Sequence, residues 1–252
     1  NVWCAAGKGS FGTEELVNRV EMLGLDKLVN HRRLIVPQLG APGVAAHEVK
    51  KQSGFTVVYG PVRAADIKAF LDADCKATAE MRQVQFGLAD RLVLTPMELV
   101  YSGKYLLAAM VLIVALSPLG RAGYQLDLLL TRGLMSAALL LSAYVAGAAA
   151  GPALLPWLPG RGFSAKGAIV GIMAATVASL LNLTGPPLET VAWLLLSAAV
   201  ASFMTMNFTG ASTYTSLSGV KTEMKIAVPL QAVAAAVGVI LFVTAGFLRT
   251  AP

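Results

Sequence analysis

Five stretches of this chain run without one charged side chain: residues 105–120 (16 residues), 133–160 (28), 167–188 (22), 190–220 (31) and 226–248 (23). A helix needs about 20 largely apolar residues to cross the hydrocarbon core of a bilayer. Four stretches reach that length. The first reaches it if its helix starts near Leu99 and Lys104 carries its ammonium out to the headgroups. Backbone polar groups find no water inside a bilayer, so such stretches fold as helices. The pattern predicts an all-α transmembrane domain over residues 99–252, with five spans near 100–120, 133–158, 166–186, 190–209 and 226–248.

The charges crowd at the other end. Residues 1–104 hold 24 of the 34 charged side chains, 13 Lys/Arg and 11 Asp/Glu. A break of that size marks a domain boundary and sets off a charged domain over residues 1–98. Lys and Arg in short loops set orientation. With the first domain inside, interior loops hold Arg161, Lys166, Lys221 and Lys225, and exterior segments hold Arg121, Arg132 and Arg249, an excess of 4 to 3. The expectation is an inner, multi-pass cell-membrane protein with a cytoplasmic N-terminal domain and an exterior C-terminus. Lipid headgroups account for the net charge of +6, and no nucleic-acid partner is expected. Cys4 and Cys75 are the only cysteines. They frame no disulfide scaffold and are too few for an iron–sulfur cluster in this chain.

In the charged domain, R-L-I-V-P-Q-L-G (33–40) reads as a strand, A-A-H-E-V-K-K-Q-S as a helix and F-T-V-V-Y-G-P-V as a second strand. Residues 63–73 read as an amphipathic helix and R-L-V-L-T-P (91–96) as a last strand. A helix is predicted over 13–24, with Thr13 as N-cap ahead of Glu14 and Glu15. The alternation predicts an α/β, Rossmann-like, doubly wound parallel sheet. Its ligands would sit at the carboxyl ends of strands, where Gly40, Gly43, Gly60 and Pro61 fall. Taken singly, each reads more simply as a turn residue.

The chain opens N-V-W-C-A-A-G-K-G-S-F-G-T. Gly7-Lys8-Gly9-Ser10-Phe11-Gly12 fits G-x-G-x-x-G, but the strand it needs before it is cut away or absent, and Asp26 comes too early and on a helix end. Gly7-Lys8 with Ser10 imitates a phosphate loop, yet the early glycine is missing and the serine is one place late. The third reading makes Cys4 the working group. A glycine-rich turn into a helix and Lys8, four residues on, favour its thiolate. Without companion Cys or His ligands at zinc-like spacing, a thiolate serves a metal whose other ligands come from a macrocycle. Cys75 reads as a small hydrophobe.

That opening run closely resembles the signature of the mercury-methylating corrinoid proteins, with Lys8-Gly9-Ser10 where the family has Lys-Gly-Thr. The resemblance continues through H-R-R-L-I-V-P-Q-L-G-A-P-G-V-A-A-H-E-V-K-K, Y-G-P-V-R-A-A-D-I and N-F-T-G-A-S-T-Y-T-S-L-S-G-V-K-T-E-M. The family has a further N-terminal stretch, so the resemblance implies a corrinoid domain that is N-terminally truncated here. It implies a methyltransferase that moves a methyl group from cobalt to Hg(II), with Cys4 as lower axial ligand. The corrinoid (cobalamin or a related cobamide) would meet Asn1, Trp3, Cys4, Ala5, Gly7, Lys8, Gly9 and Thr13 from the opening run. Gln38, Gly40, Gly43, His47, Tyr59, Gly60 and Pro61 would meet it from the strand ends.

Implied partners are a two-cluster 4Fe-4S ferredoxin-type reductase and a methyltetrahydrofolate-dependent methyl donor. Cysteine suits the chemistry. Hg(II) is an electrophile and needs a methyl group with its electron pair, or a radical equivalent, which a trans thiolate favours as it does on haem iron. No Cys-x-x-Cys pair stands ready for mercury, so the partner's cysteines would present it. Two alternatives are a methyl-carrying corrinoid protein of acetyl-CoA metabolism and a transporter with a nucleotide-binding domain. In the membrane part, Ser, Thr and Asn cluster over 205–222. Small-residue helix packing is the simpler reading there, ahead of a polar path, and no charge is expected inside the apolar spans.

Overall fold

The computed structural model describes residues 11–121, 123–208 and 217–249. The chain divides into two compact units between Gln85 and Phe86.

The first unit holds α1 (Thr13–Met22), a single turn α2 (Leu25–Leu28), β1 (Arg33–Val36), α3 (Ala46–Ser53), β2 (Thr56–Tyr59) and α4 (Ile67–Asp72). The strands pair in parallel, Arg33 opposite Thr56 through Val36 opposite Tyr59, and α3 makes the crossover. Val17, Val36, Val44, Val49 and Val57 form the core beneath them, with Phe11, Leu16 and Tyr59 packed against it. On the other face, Phe70 of α4 is fully buried while Ile35 stays 51% exposed.

Among the described residues the expected doubly wound, Rossmann-like sheet is absent; one two-stranded parallel pair stands in its place. The third strand expected over 91–96 is helical, as α5 (Leu88–Leu92) and the start of α6 (Thr95–Leu116). A short apolar run has no period that tells strand from buried helix. Pro96, read as a strand end, sits in the first turn of α6, where its missing N–H costs nothing. Thr13 is also reassigned: Gly12 is the N-cap and Thr13 the first helical residue.

The second unit is helical apart from a short hairpin, β3 (Leu119–Gly120) with β4 (Gly123–Tyr124). A π-helical turn, Leu129–Gly133, leads into α7 (Leu134–Val145), a second, Ala146–Ala150, follows it, and α8 (Gly151–Leu154) ends that rod. Then come α9 (Phe163–Leu180), α10 (Pro187–Asn207) and α11 (Leu217–Leu248). Five helical segments are long and apolar enough to cross a membrane: Leu88–Leu116, Leu129–Leu154, Phe163–Leu180, Pro187–Asn207 and Gly219–Leu248. This is a membrane protein. Buried share ranks the helices: 56% of the apolar window of α10 is enclosed against 6% for the first span. So α10 is the central helix and α6 meets lipid.

Small residues let α10 take that place. Gly167 and Gly171 lie one turn apart on α9, facing Ser197 and Ala201 of α10. A Cβ added at Gly167 would stand 2.6 Å from the Ala201 carbonyl oxygen, and one at Gly171 would collide with that of Ser197. Across the second π turn, a Cβ at Gly147 would come within 2.6 Å of the Ala201 Cα. Without a hydrophobic driving force between spans in lipid, such close backbone approach is what holds them. Thr205 belongs to the same seam: it is fully buried and donates to the Gly147 carbonyl at 2.8 Å. Its packing role agrees with the simpler reading of the polar stretch; 209–216 lie outside the described residues.

The expectation of charge-free spans fails in several of them, Arg91 and Lys166 being among the charges they carry, and one buried ion pair stands out. Arg132, in the first π turn, and Glu189, in the first turn of α10, are 5% and 3% exposed and pair at 3.0 Å. Arg132 also donates to the Ser117 carbonyl at the end of α6 (2.8 Å) and to that of Phe242 on α11 (2.6 Å). Its guanidinium lies 4.0 Å over the Phe242 ring. Arg249, beyond α11, reaches the other carboxylate oxygen at 3.1 Å. One cation thus ties three helix ends to the start of its own helix.

Two outcomes are expected in thermal unfolding of the detergent-purified chain. Arg132→Leu leaves the buried Glu189 carboxylate with Arg249 alone, breaks the bonds to the Ser117 and Phe242 carbonyls, and costs about 3–5 kcal/mol. Gly171→Leu, which overpacks the α9–α10 seam, costs about 1–3 kcal/mol; Gly123→Ala in the exposed hairpin lowers the midpoint less.

Candidate functional site

Beyond β1 the chain has no further strand to feed, so it turns back at once. Pro37 opens a 3-10 turn, Gln38–Gly40, in which the Gly40 N–H donates to the Pro37 carbonyl at 2.8 Å. Gly43 N–H then donates to the Gly40 carbonyl at 3.0 Å. Next, Val44 drives its side chain into the core, 2% exposed. Beyond β2 the ladder gains one more rung, from the Gly60 N–H to the Val36 carbonyl at 2.8 Å, and Pro61 is buried.

Two side chains clamp the first of these turns. The Tyr59 hydroxyl donates to the Val44 carbonyl at 2.6 Å. From the opposite direction, Thr13 N–H donates to the Gly43 carbonyl at 3.1 Å and the Thr13 hydroxyl accepts from the Ala45 N–H at 2.9 Å. Gly12 lies against the same carbonyl: a Cβ there would sit 3.3 Å from the Gly43 oxygen. Phe11 packs on the neighbouring core. The last residues of the opening run are therefore stitched to the carboxyl ends of the strand pair.

The structure brings together Thr13, Gly40, Gly43, Tyr59, Gly60 and Pro61, with Gln38 half-buried in the 3-10 turn. His47 stands apart in character: its side chain is 82% exposed on α3, with Nε2 3.6 Å from the Glu48 carboxylate. Asn1, Trp3, Cys4, Ala5, Gly7, Lys8 and Gly9 lie outside the described residues. The two strand-end glycines are packing residues. A Cβ at Gly40 would meet Val36 Cγ1 at 3.0 Å, and one at Gly60 would meet Ile35 Cγ2 at 3.2 Å. The chain's own side chains fill that space.

No charged residue occurs in 34–46 or 55–62, so the strand-end surface offers backbone amides, the Gln38 carboxamide and the Tyr59 phenol. Among the described residues no three His, Cys, Asp or Glu side chains gather where they would hold a metal ion. Cys75 is a half-buried free thiol in a left-handed backbone (φ 60°) that follows Asp74 at φ 54°, beyond the end of α4.

Sequence reasoning missed the Arg132–Glu189–Arg249 cluster, though its signal is in the chain. Each of the three bounds an apolar interval, and alternating spans bring all three boundaries to one end of the bundle. The capture of the β1–α3 turn by Thr13 had no such signal, because a threonine before two glutamates reads as a cap.

No family model, characterised protein or solved structure matches the chain.

Removing the Thr13 hydroxyl should loosen the turn. Thr13→Val leaves the Ala45 N–H without its acceptor and costs about 1 kcal/mol, read as faster amide exchange at Ala45, while Thr13→Ser keeps wild-type protection.

Proposed function

We propose that this chain is a membrane-embedded, corrinoid-dependent methyltransferase whose acceptor is Hg(II), with Cys4 as the lower axial ligand of the cobalt. The observation that supports this reading is the run N-V-W-C-A-A-G-K-G-S-F-G-T, whose end is hydrogen-bonded to the strand-end turns. The reading does not need the doubly wound sheet that the fold lacks. It needs a thiolate carried on an anchored segment, beside a surface that tolerates a large ring.

The residues suit such a group in their chemistry. A macrocycle would bring most of its metal's ligands with it, so one donor from the chain would suffice, and Cys4 would be that donor. An uncharged, amide-fringed ring matches the uncharged surface around Gln38, Gly43 and Tyr59. Once bound, the corrinoid supplies the methyl group to be transferred. Everything else falls to the chain. Cys4 would hold the cobalt and donate electron density to it, which would favour delivery of the methyl group to an electrophile. Lys8, four residues along, holds the thiol in its thiolate form through its charge. Thr13 and Gly12 fix the root of the segment on the Gly43 carbonyl, so that Cys4 is carried from a defined point.

In this reading the N-terminal unit works in the cytoplasm and the C-terminus is exterior. A ferredoxin-type reductase with two 4Fe-4S clusters restores the cobalt, and a methyltetrahydrofolate-dependent donor supplies new methyl groups.

The test is anaerobic. The full chain in detergent is loaded with methylcobalamin and given thiol-buffered Hg(II), while corrinoid absorption and methylmercury are followed together, beside Cys4→Ala. Wild type is expected to show thiolate-type absorption and form methylmercury, and the variant to lose both. An unchanged spectrum without Cys4 would overturn the axial-ligand role; tight nucleotide binding without any corrinoid would replace the reading with a transporter.

A further inference from the structure

One cavity of the membrane-spanning unit is walled by cations. It measures about 480 Å³ and lies where α5, the segment after α8 and the start of α9 meet. Arg91, Arg161 and Lys166 supply its charge, and Leu155, Pro156 and Phe163 its apolar wall.

Arg91 is only 8% exposed. Its Nε donates to the Phe86 carbonyl at 3.3 Å, and its Nη1 to those of Pro152 and Ala153 at 3.1 and 2.9 Å. Lys166 Nζ donates to the Leu155 carbonyl at 2.7 Å. These contacts aim the cations but leave their charge uncompensated. Among the described residues, no carboxylate comes within ion-pair distance of Arg91, Arg161 or Lys166. The acids of this region are engaged elsewhere. Glu223 of α11 accepts from the Ser164 N–H and hydroxyl at 2.6 and 2.7 Å, capping α9. Asp90 accepts from the Gly87 N–H at 2.9 Å.

A buried guanidinium held only by carbonyls is costly unless an anion completes it. Guanidinium offers a planar fork and ammonium a point charge, the pair of donors that suits a phosphate. We propose that this cavity binds a phosphate group at the membrane surface. Two sources carry that chemistry, the headgroup of an anionic phospholipid and free phosphate. The apolar wall favours the lipid, as does the neighbouring Trp157, 72% exposed, of the residue type that settles at membrane–water interfaces. The site is separate from the strand ends of the first unit and stands whether or not the chain transfers methyl groups.

The experiment uses the full chain in detergent with three additions: phosphatidylglycerol, phosphatidylcholine and inorganic phosphate. Thermal unfolding and native mass spectrometry are the readouts. Phosphatidylglycerol should raise the wild-type midpoint by several degrees over phosphatidylcholine and remain bound at one lipid per chain. Because Arg91→Gln and Lys166→Gln remove contacts that the fold uses, the diagnostic variant is the exposed Arg161→Gln. Its midpoint in phosphatidylcholine should match wild type, while its response to phosphatidylglycerol and its retained lipid should be lost. An equal shift with inorganic phosphate alone, absent in the variant, keeps the phosphate site and makes free phosphate its occupant. The proposal is overturned if wild type responds to neither addition, or if wild type and variant respond alike.

Discussion

A guanidinium buried where a bundle of apolar helices ends must satisfy five N–H donors and one charge without water. Arg132 does this by drawing on everything near it. Its hydrogen bonds reach α6, α10 and α11, and its flat face rests on Phe242. Each of those partners is fixed in turn. Ser117 must end α6 at that level, Glu189 must begin α10 there, and α11 must bring the Phe242 carbonyl alongside. Gly246 shows how tight the arrangement is: a Cβ at that position would stand 2.8 Å from Arg132 Nη1. The ion pair therefore sets the relative heights of the helices, while the small-residue seams set how closely they lie.

The two devices work along different directions, which is why the membrane unit needs both. Gly167, Gly171 and Gly147 bring α9 and the α7 rod onto α10 side by side, through contacts that weaken smoothly as helices separate. Packing of that kind resists parting but not sliding. Arg132 resists sliding, because a shift along the axis breaks directional bonds to carbonyls at fixed positions. Trp193 and Phe242, stacked edge to face with centroids 5.8 Å apart, fill the space between pair and seam.

Much of this was legible in the sequence, and the misses have physical causes. Uncharged length gave all five spans, since a bilayer leaves backbone one means of satisfying itself. Both strands of the first unit and their crossover helix followed from apolar runs closed by glycine or proline. The error at 91–96 came from counting an apolar run as a strand when its partner strands were assumed rather than seen; a proline at its end served a helix start equally well. The buried pair escaped because Arg132 and Glu189 stand at the borders of apolar intervals, where charges usually meet headgroups. At the strand ends, Gly40 and Gly43 lie in turns, as read, while Gly60 instead extends the strand ladder by one rung. The function of two of them became visible only with the side chains of Val36 and Ile35, which fill the space a Cβ would take.

The rod Leu129–Leu154 carries a π turn on each side of α7. In a regular helix each residue advances the side-chain direction by about 100°, so a turn with one residue too many resets the phase for all that follows. Arg132 therefore points at Glu189, the middle of α7 at the Leu139–Leu140 core, and Gly147 with Gly151 at Ala201 and Thr205. The stretch Ala146–Ala150, nearly featureless in composition, is thereby sensitive to length, and at Gly147 to size as well, since a Cβ there would stand 2.6 Å from the Ala201 Cα. Exchanging an alanine there for another small residue preserves the register, whereas deleting one would turn Gly151 away from Thr205, whose side chain leaves no room for a Cβ.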